Sequence, residues 1–364
     1  MGETGVLTAT KLEGCDVVGV ATKRVLVSGQ ELGLRLTAPR AWRRDYFTEL
    51  SRFRRLAHVK LLFGRVARAE LEHSRLVVEL ADGSAQVQPY DYLVIATGVT
   101  NGFWRDDKLT DQAAIERDLK DRAAQLARAG TIAVVGGGAT GTSVAANLAT
   151  KYPDKGIHLF HSGELPLPGY PDSVRAEITQ RLADAGVKRA PHHRAEPGDA
   201  GSMAALDGGT IRWQSGQAPF AADAIVWATG ATRPNSGFLP PDILDEHGFV
   251  LTEPTLQVRG WPNVFAIGDV AQTDPHRSSA RNWAYPIVAG NIAALIAGEP
   301  ERMTRFAAPP HRWGSILGPQ KDGLTVYLPD GGKSRIARWY VRWILYPFKV
   351  RREIYGGVRP RFWP

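Results

Sequence analysis

Short apolar runs that end on glycine recur along this chain, separated by stretches with helical spacing. Ile132–Val135 leads into Gly136-Gly137-Gly138-Ala139-Thr140-Gly141. A run of small residues with helical character follows, then a second apolar run, Ile157–Phe160. The pattern predicts strand, glycine turn, helix, strand: the frame that a G-x-G-x-x-G needs before it reads as a dinucleotide site. Near the start, Gly2-Glu3-Thr4-Gly5 followed by Val6, Leu7 and Ala9 reads as the end of a similar turn and its helix. Asp16–Thr22 reads as the next strand of that unit. Leu76–Leu80, closed by Asp82-Gly83, and Tyr92–Ile95 are strand-like, and Asp111–Arg128 is helix-like. Three strands leave through small residues to glycine: Tyr92–Gly98, Asp223–Gly230 and Asn263–Asp269. Two βαβ units with three such exits predict an α/β chain with two related Rossmann-like domains.

Each residue type in the second fingerprint has a physical task. Gly136 allows the tight turn, Gly138 lets backbone approach a pyrophosphate, and Gly141 lets the helix pack close to its strand. The helix start at Ala139 and Thr140 offers N–H groups and positive dipole to phosphate.

Composition narrows the chemistry. The chain has 364 residues, 43% hydrophobic and 23% charged, an ordinary globular balance with room for two or three domains. Cys15 is the single cysteine, which excludes an internal disulfide, a thiolate zinc site and a dithiol redox pair. The nine histidines show no metal-ligand spacing, and His192-His193 read as loop residues, so no metal is expected. Neither a signal peptide nor a membrane span is expected. The net charge of +8 sits in the tail: residues 333–364 carry nine Lys/Arg against Glu353, and the rest of the chain is balanced. A balanced body argues against a general nucleic-acid surface, and no nucleic-acid partner is expected.

The order and spacing of several short segments resemble the flavoproteins with two dinucleotide-binding domains: type II NADH dehydrogenases, apoptosis-inducing-factor-like proteins and, most closely, ferroptosis suppressor proteins. The segments are Leu34-Arg35, Gly64-x-Val66, Ile95–Gly98, Gly136–Gly141, Tyr152–Lys155, Ser173–Arg175, Asn263–Asp269, Ala284-Tyr285 and Asn291-Ile292. They span roughly residues 1–325. The resemblance implies an FAD domain (1–108 and 253–305) into which an NAD(P)H domain (109–252) is inserted, followed by a C-terminal region, 306–364. It places FAD at Gly2, Gly5, Thr22, Arg35 (pyrophosphate region), Val66 (adenine), Thr97, Gly98, Gly268 and Asp269 (ribityl end). NAD(P)H falls at Gly136, Gly138, Ala139, Thr140, Gly141, His161, Ser162, Thr229 and Gly230. Ala284 and Tyr285 fall near the flavin ring and the acceptor. It implies hydride transfer from nicotinamide to flavin with no catalytic side chain, and electrons passing to a quinone or similar small acceptor.

The chain departs from that pattern in four places. The strand and first glycine that should precede Gly2 are missing, which predicts a sheet exposed on both sides of a gap and a true start upstream of Met1. Thr22 stands where the FAD ribose acid is expected, which loses a charge-assisted bond. His161 stands at the corresponding NAD(P)H position, with no arginine adjoining it, an arrangement that admits NADPH or dual use. Ser143 stands where the family often has Glu near the nicotinamide.

The tail, Ile336–Val350 with Arg351-Arg352, interleaves basic and aromatic residues, and Pro347 predicts two short helical segments. That composition suits a membrane headgroup region through residues 336–352, with the alternative of a helix packed on the FAD domain. The expected place is the cytoplasm, at the inner face of the cell membrane. Two other readings stay open: a nucleotide-binding protein without turnover, and a ferredoxin-type reductase. Oligomeric state has no signature in the sequence.

Overall fold

A computed structural model describes residues 1–102, 104–196, 202–273, 283–308 and 314–360. In chain order the strands that frame the site are β1 (Val17–Ala21), β2 (Val59–Glu70), β3 (Arg75–Leu80), β4 (Ala85–Pro89) and β5 (Leu93–Ile95). They continue with β6 (Thr131–Val135), β7 (Gly156–Phe160), β8 (Lys188–Ala190), β9 (Ala224–Trp227) and β10 (Trp261–Ala266). The principal helices are α1 (Glu3–Ala9), α2 (Leu32–Thr37), α3 (Gln112–Arg128), α4 (Ala139–Lys151), α5 (Asp172–Asp184) and α6 (Tyr285–Ile296).

The inserted unit is a parallel sheet in the order β8-β7-β6-β9, with Ile132 level with Ile157 and Ala224. Ile132, Ala133, Val134 and Val135 are all buried, because both faces of β6 are covered. Helix α4 lacks a polar face for a similar reason. It lies against the sheet on one side and α2 on the other, and Gly141–Ala149 are all buried. A Cβ on Gly33 of α2 would stand 2.7 Å from the Ser143 carbonyl oxygen, so the two helices touch at backbone distance. Helix α3 starts where Asp111 accepts the Ala114 N–H at 2.7 Å.

The outer unit is built from two half-sheets. One runs β1-β2-β3-β4, parallel between β1 and β2 and antiparallel beyond. The other pairs β5 with β10 in parallel and β10 with Gln257–Val258. The free edges of β1 and β5 are bridged by the first two residues. The Met1 ammonium donates to the Val20 carbonyl at 2.6 Å, and the Gly2 N–H to Ala96 at 3.3 Å.

Burial crosses the sequence boundaries expected from the domain pattern. Leu32, Leu36, Ile316, Leu317 and Tyr327 all join the inserted unit's core.

The tail differs from expectation. Instead of two segments broken at Pro347, the chain stays helical from Arg338 through Ile354, with i→i+5 geometry over Val341–Ile354. Val341, Tyr346, Val350 and Tyr355 are buried on the outer unit, while Trp339, Trp343 and Phe348 are exposed. Both sets recur every four or five residues, the return that i→i+5 bonding gives, so each lies along one face.

Candidate functional site

The glycine turn between β6 and α4 is held by backbone contacts that exclude side chains. Gly136 has φ +126°, and a Cβ there would lie 2.1 Å from the Ala228 carbonyl oxygen. A Cβ on Gly141 would lie 1.9 Å from the Gly136 carbonyl oxygen. Gly138 is the opposite case: with φ −72° and ψ 179° it caps α4, and a Cβ there meets nothing within 4 Å. Gly137 is crowded as well, its Cβ position lying 2.6 Å from His161 Cβ, so three of the four glycines are closed in and Gly138 alone faces open space, which leaves room for a phosphate against α4's first N–H groups. Ala139 and Thr140 are the first residues of α4, half-buried at this opening. Thr229 and Gly230, just past β9, are exposed, with Gly230 at φ +76°.

At the end of β7, His161 is 3% exposed and its Cβ lies under Gly137. Its Nδ1 meets the Gly163 carbonyl at 2.8 Å, and its buried Nε2 has no hydrogen-bond partner. Burial is the main reason its pKa is lowered, with Arg189 and His192 adding in the same direction. Arg189, on β8, also has a buried nitrogen, Nη1, without a partner. Leu159 is level with Arg189 across the parallel pair, so Arg189 shares a sheet face with Leu159 and, two residues on, His161. No arginine adjoins His161 in the sequence, and the fold supplies one from the neighbouring strand. Ser162 is exposed beside it.

In the outer unit Gly2 caps α1. Gly5 packs so that a Cβ would lie 3.1 Å from Ala96 Cβ. Gly268, at φ +79°, turns the chain past Thr4, whose Oγ1 would be 2.4 Å from a Cβ. These contacts set α1 directly over the exits of β5 and β10. Asp269 follows, its side chain 15% exposed and ion-paired with Arg105. Thr97 and Gly98 are tied to Asn235: Thr97 Oγ1 donates to its carbonyl at 2.7 Å, and its Nδ2 donates to the Thr97 carbonyl at 3.0 Å. A Cβ on Gly98, at φ +68°, meets nothing within 4 Å. Thr22 follows β1 half-buried, and Val66 lies half-buried on β2 opposite Val78.

Four residues sit differently from a simple reading. Arg35 is turned inward, 6% exposed, donating to the Trp104 carbonyl at 2.7 Å with its guanidinium 5.3 Å from the Trp42 ring centroid. Burial pulls its pKa down to about 10. Ser143 packs against Gly33 and is 5% exposed. Ala284 and Tyr285, at the start of α6, are buried in the outer core. The sequence reading missed Arg105 and Arg189. Neither belongs to a motif, and only the fold brings them to Asp269 and His161.

The family model for pyridine nucleotide-disulphide oxidoreductases matches residues 6–285. Oxidoreductase ptaL of Pestalotiopsis fici is 31% identical over 219 residues, which is 59% of this chain and 57% of that protein. Apoptosis-inducing factor homolog B of Dictyostelium discoideum is 28% identical over 296 residues, 75% of this chain and 74% of its own. Among solved structures, NDH2 of Plasmodium falciparum in complex with NADH superposes with a TM-score of 0.71 at 13% identity. That match covers 98% of this chain and 95% of the other, a likeness of fold. The chain thus spans little more than half the length of the first of these relatives.

Proposed function

The chain belongs to the pyridine nucleotide-disulphide oxidoreductase family, and we propose that it is an FAD-dependent NAD(P)H oxidoreductase delivering electrons to a quinone or similar small acceptor. The observation that carries this reading is the glycine turn itself: open at Gly138 and closed by backbone at Gly136 and Gly141. Glycine also serves the fold there as the helix N-cap, but no packing contact requires it, whereas a pyrophosphate lying against α4's first N–H groups does.

The outer unit fits FAD by the same criteria. Gly2 and Gly5 bring α1's start close to the β5 exit, Gly98 leaves open space, and Asp269 presents a carboxylate to a hydroxyl-rich chain. FAD, when bound, supplies the hydride acceptor and the route for electrons onward. The chain's own residues bind and orient. Gly138 and the first turn of α4 hold the nicotinamide dinucleotide's pyrophosphate, and Gly2, Gly5, Thr22, Val66, Thr97, Gly98 and Gly268 line the FAD site. Asp269 holds the ribityl hydroxyls, and Arg105 neutralises Asp269 until they arrive. Arg35 acts from inside, fixing the segment at Trp104 next to Arg105. Ala284 and Tyr285 close the acceptor end.

The acceptor is reached at a membrane surface. Arg338, Trp339, Arg342, Trp343, Phe348, Lys349 and Arg352 are exposed along the C-terminal helix, a pairing of aromatic rings and cations that suits anionic headgroups. No helix among the described residues is long and apolar enough to cross a membrane. The deciding experiment is the visible spectrum of the purified chain. Flavin bands near roughly 370 and 450 nm that bleach when NADPH or NADH is added without oxygen support the reading. A colourless protein that FAD cannot reconstitute refutes it.

A further inference from the structure

Two buried nitrogens lack partners here: Nε2 of His161, at the end of β7 against Gly137, and Nη1 of Arg189 on the neighbouring strand β8. Buried polar groups are almost always paired, so two orphans at one place ask for a ligand atom. The place is the end of β7, where Rossmann units meet the adenosine ribose. An acid there would accept a 2′-hydroxyl and repel a 2′-phosphate. Here that acid is replaced by His161, with Ser162 exposed beside it and Arg189 on the neighbouring strand.

We propose that His161 and Arg189 form a subsite for a 2′-phosphate, so that this chain binds NADPH in preference to NADH. The inference rests on the nicotinamide nucleotide reading above and names which nucleotide that site takes. Arg189 supplies permanent charge and a planar fork of donors suited to phosphate. His161 supplies the adjustable part. Its Nδ1 faces the Gly163 carbonyl, so Nδ1 carries the proton in the neutral ring and Nε2 offers only a lone pair. A phosphate needs a donor there, so the imidazole takes a proton from solvent at Nε2 as the nucleotide binds.

The charged and titratable surroundings of His161 set that proton's balance. Arg189 comes from β8 and His192 from the loop after it, with His193 donating its backbone N–H to the His161 carbonyl. Glu164, in the loop after β7, faces His192 at 2.8 Å and partly offsets it. Arg175, from α5, is held on the Leu165 and Pro166 carbonyls and by Asp172. The Gly137 backbone covers the ring without charge. Burial first, and then the positive charge of Arg189 and His192, lowers the pKa of the ring and favours its neutral form in the free protein. An arriving dianion reverses that preference, so discrimination strengthens as pH falls from 8 to 6.5.

The test is the affinity of the purified protein for NADP+ and NAD+, followed by tryptophan fluorescence between pH 6.5 and 8. NADP+ should bind at least about tenfold tighter at pH 7, since a charge-assisted pair is worth roughly 10- to 100-fold. The ratio should shrink toward pH 8. Arg189→Gln should collapse it chiefly by weakening NADP+, and Arg189→Lys should restore part. Thermal melts of both variants guard against misfolding, and the lysine variant carries the test if the glutamine variant is unstable. Equal affinities in the unaltered protein, or a ratio untouched by Arg189→Gln, overturn the proposal and leave the nucleotide site standing. A ratio flat with pH removes His161 from the subsite. Binding of neither nucleotide refutes the nucleotide reading itself and this inference with it.

Discussion

Replacing two glycines of one turn by alanine should give opposite results. At Gly141 the new methyl would sit 1.9 Å from the Gly136 carbonyl oxygen and 3.3 Å from Ala228 Cβ. Ordinary contact begins at 3.4 Å, so α4 must retreat by about 1.5 Å, and it is pinned from behind by α2 at Gly33. Overpacking of this kind costs about 1–3 kcal/mol, and the rigid Gly136 backbone in front with α2 behind puts Gly141→Ala at the upper end. Alanine's better helix propensity returns about 1 kcal/mol, leaving a net loss of about 2 kcal/mol. A melting temperature lower by roughly 4–8 °C follows for a domain of this size. At Gly138 the methyl meets nothing within 4 Å, and φ −72° suits alanine. The entropy gain of up to ~1 kcal/mol is offset by the poorer N-cap, so stability should hardly change. Yet that methyl fills the space in front of α4's first N–H groups, and nicotinamide nucleotide affinity should fall about tenfold or more. Melting curves and nucleotide titrations of both variants separate the two roles. The reasoning fails if Gly138→Ala binds nucleotide normally, or if Gly141→Ala melts with the parent.

Three further outcomes are expected. Asp269→Ala removes the carboxylate offered to the ribityl chain and strands Arg105, so FAD should be held about tenfold more weakly; a flavin-to-protein absorbance ratio equal to the parent's would contradict this. His158 and His161 have pKa values lowered chiefly by burial. The unfolded chain therefore takes up protons first as pH drops below 6.5, and stability falls until the folded pKa is reached. Each histidine contributes at most about 1.4 kcal/mol per pH unit, and denaturant melts of His161→Asn should show a shallower acid slope. At the tail, Trp339→Ser with Trp343→Ser should reduce sedimentation with anionic vesicles, while Arg342→Gln should weaken it by roughly 1 kcal/mol in low salt only; binding that ignores both changes would exclude this face as the contact.

What could be read from the sequence divides along a physical line. The inserted unit's glycine turn, β6, α4 and β7 were legible because every contact that defines them lies within a few dozen residues and leaves a periodic trace. Arg189 left none. It reaches His161 only through the parallel pairing of β8 with β7, and parallel neighbours are separated by a crossover whose length the local pattern does not encode. Arg105 and Asp269 are separated by 164 residues, and the whole inserted unit lies between them. The tail failed for another reason: Val341, Tyr346, Val350 and Tyr355 recur at a period longer than 3.6, so an α-helical template finds no buried stripe and Pro347 looks decisive. The same division bears on function. Glycines name the nucleotide class from sequence alone, since backbone approach is a local demand. Which nucleotide is chosen depends on charges that meet across strands, so the fingerprint residues Gly136 to Gly141 could be identical in an NADH enzyme and an NADPH enzyme. The discriminating groups must therefore be sought on β7 and β8, where the fold puts His161 and Arg189 side by side.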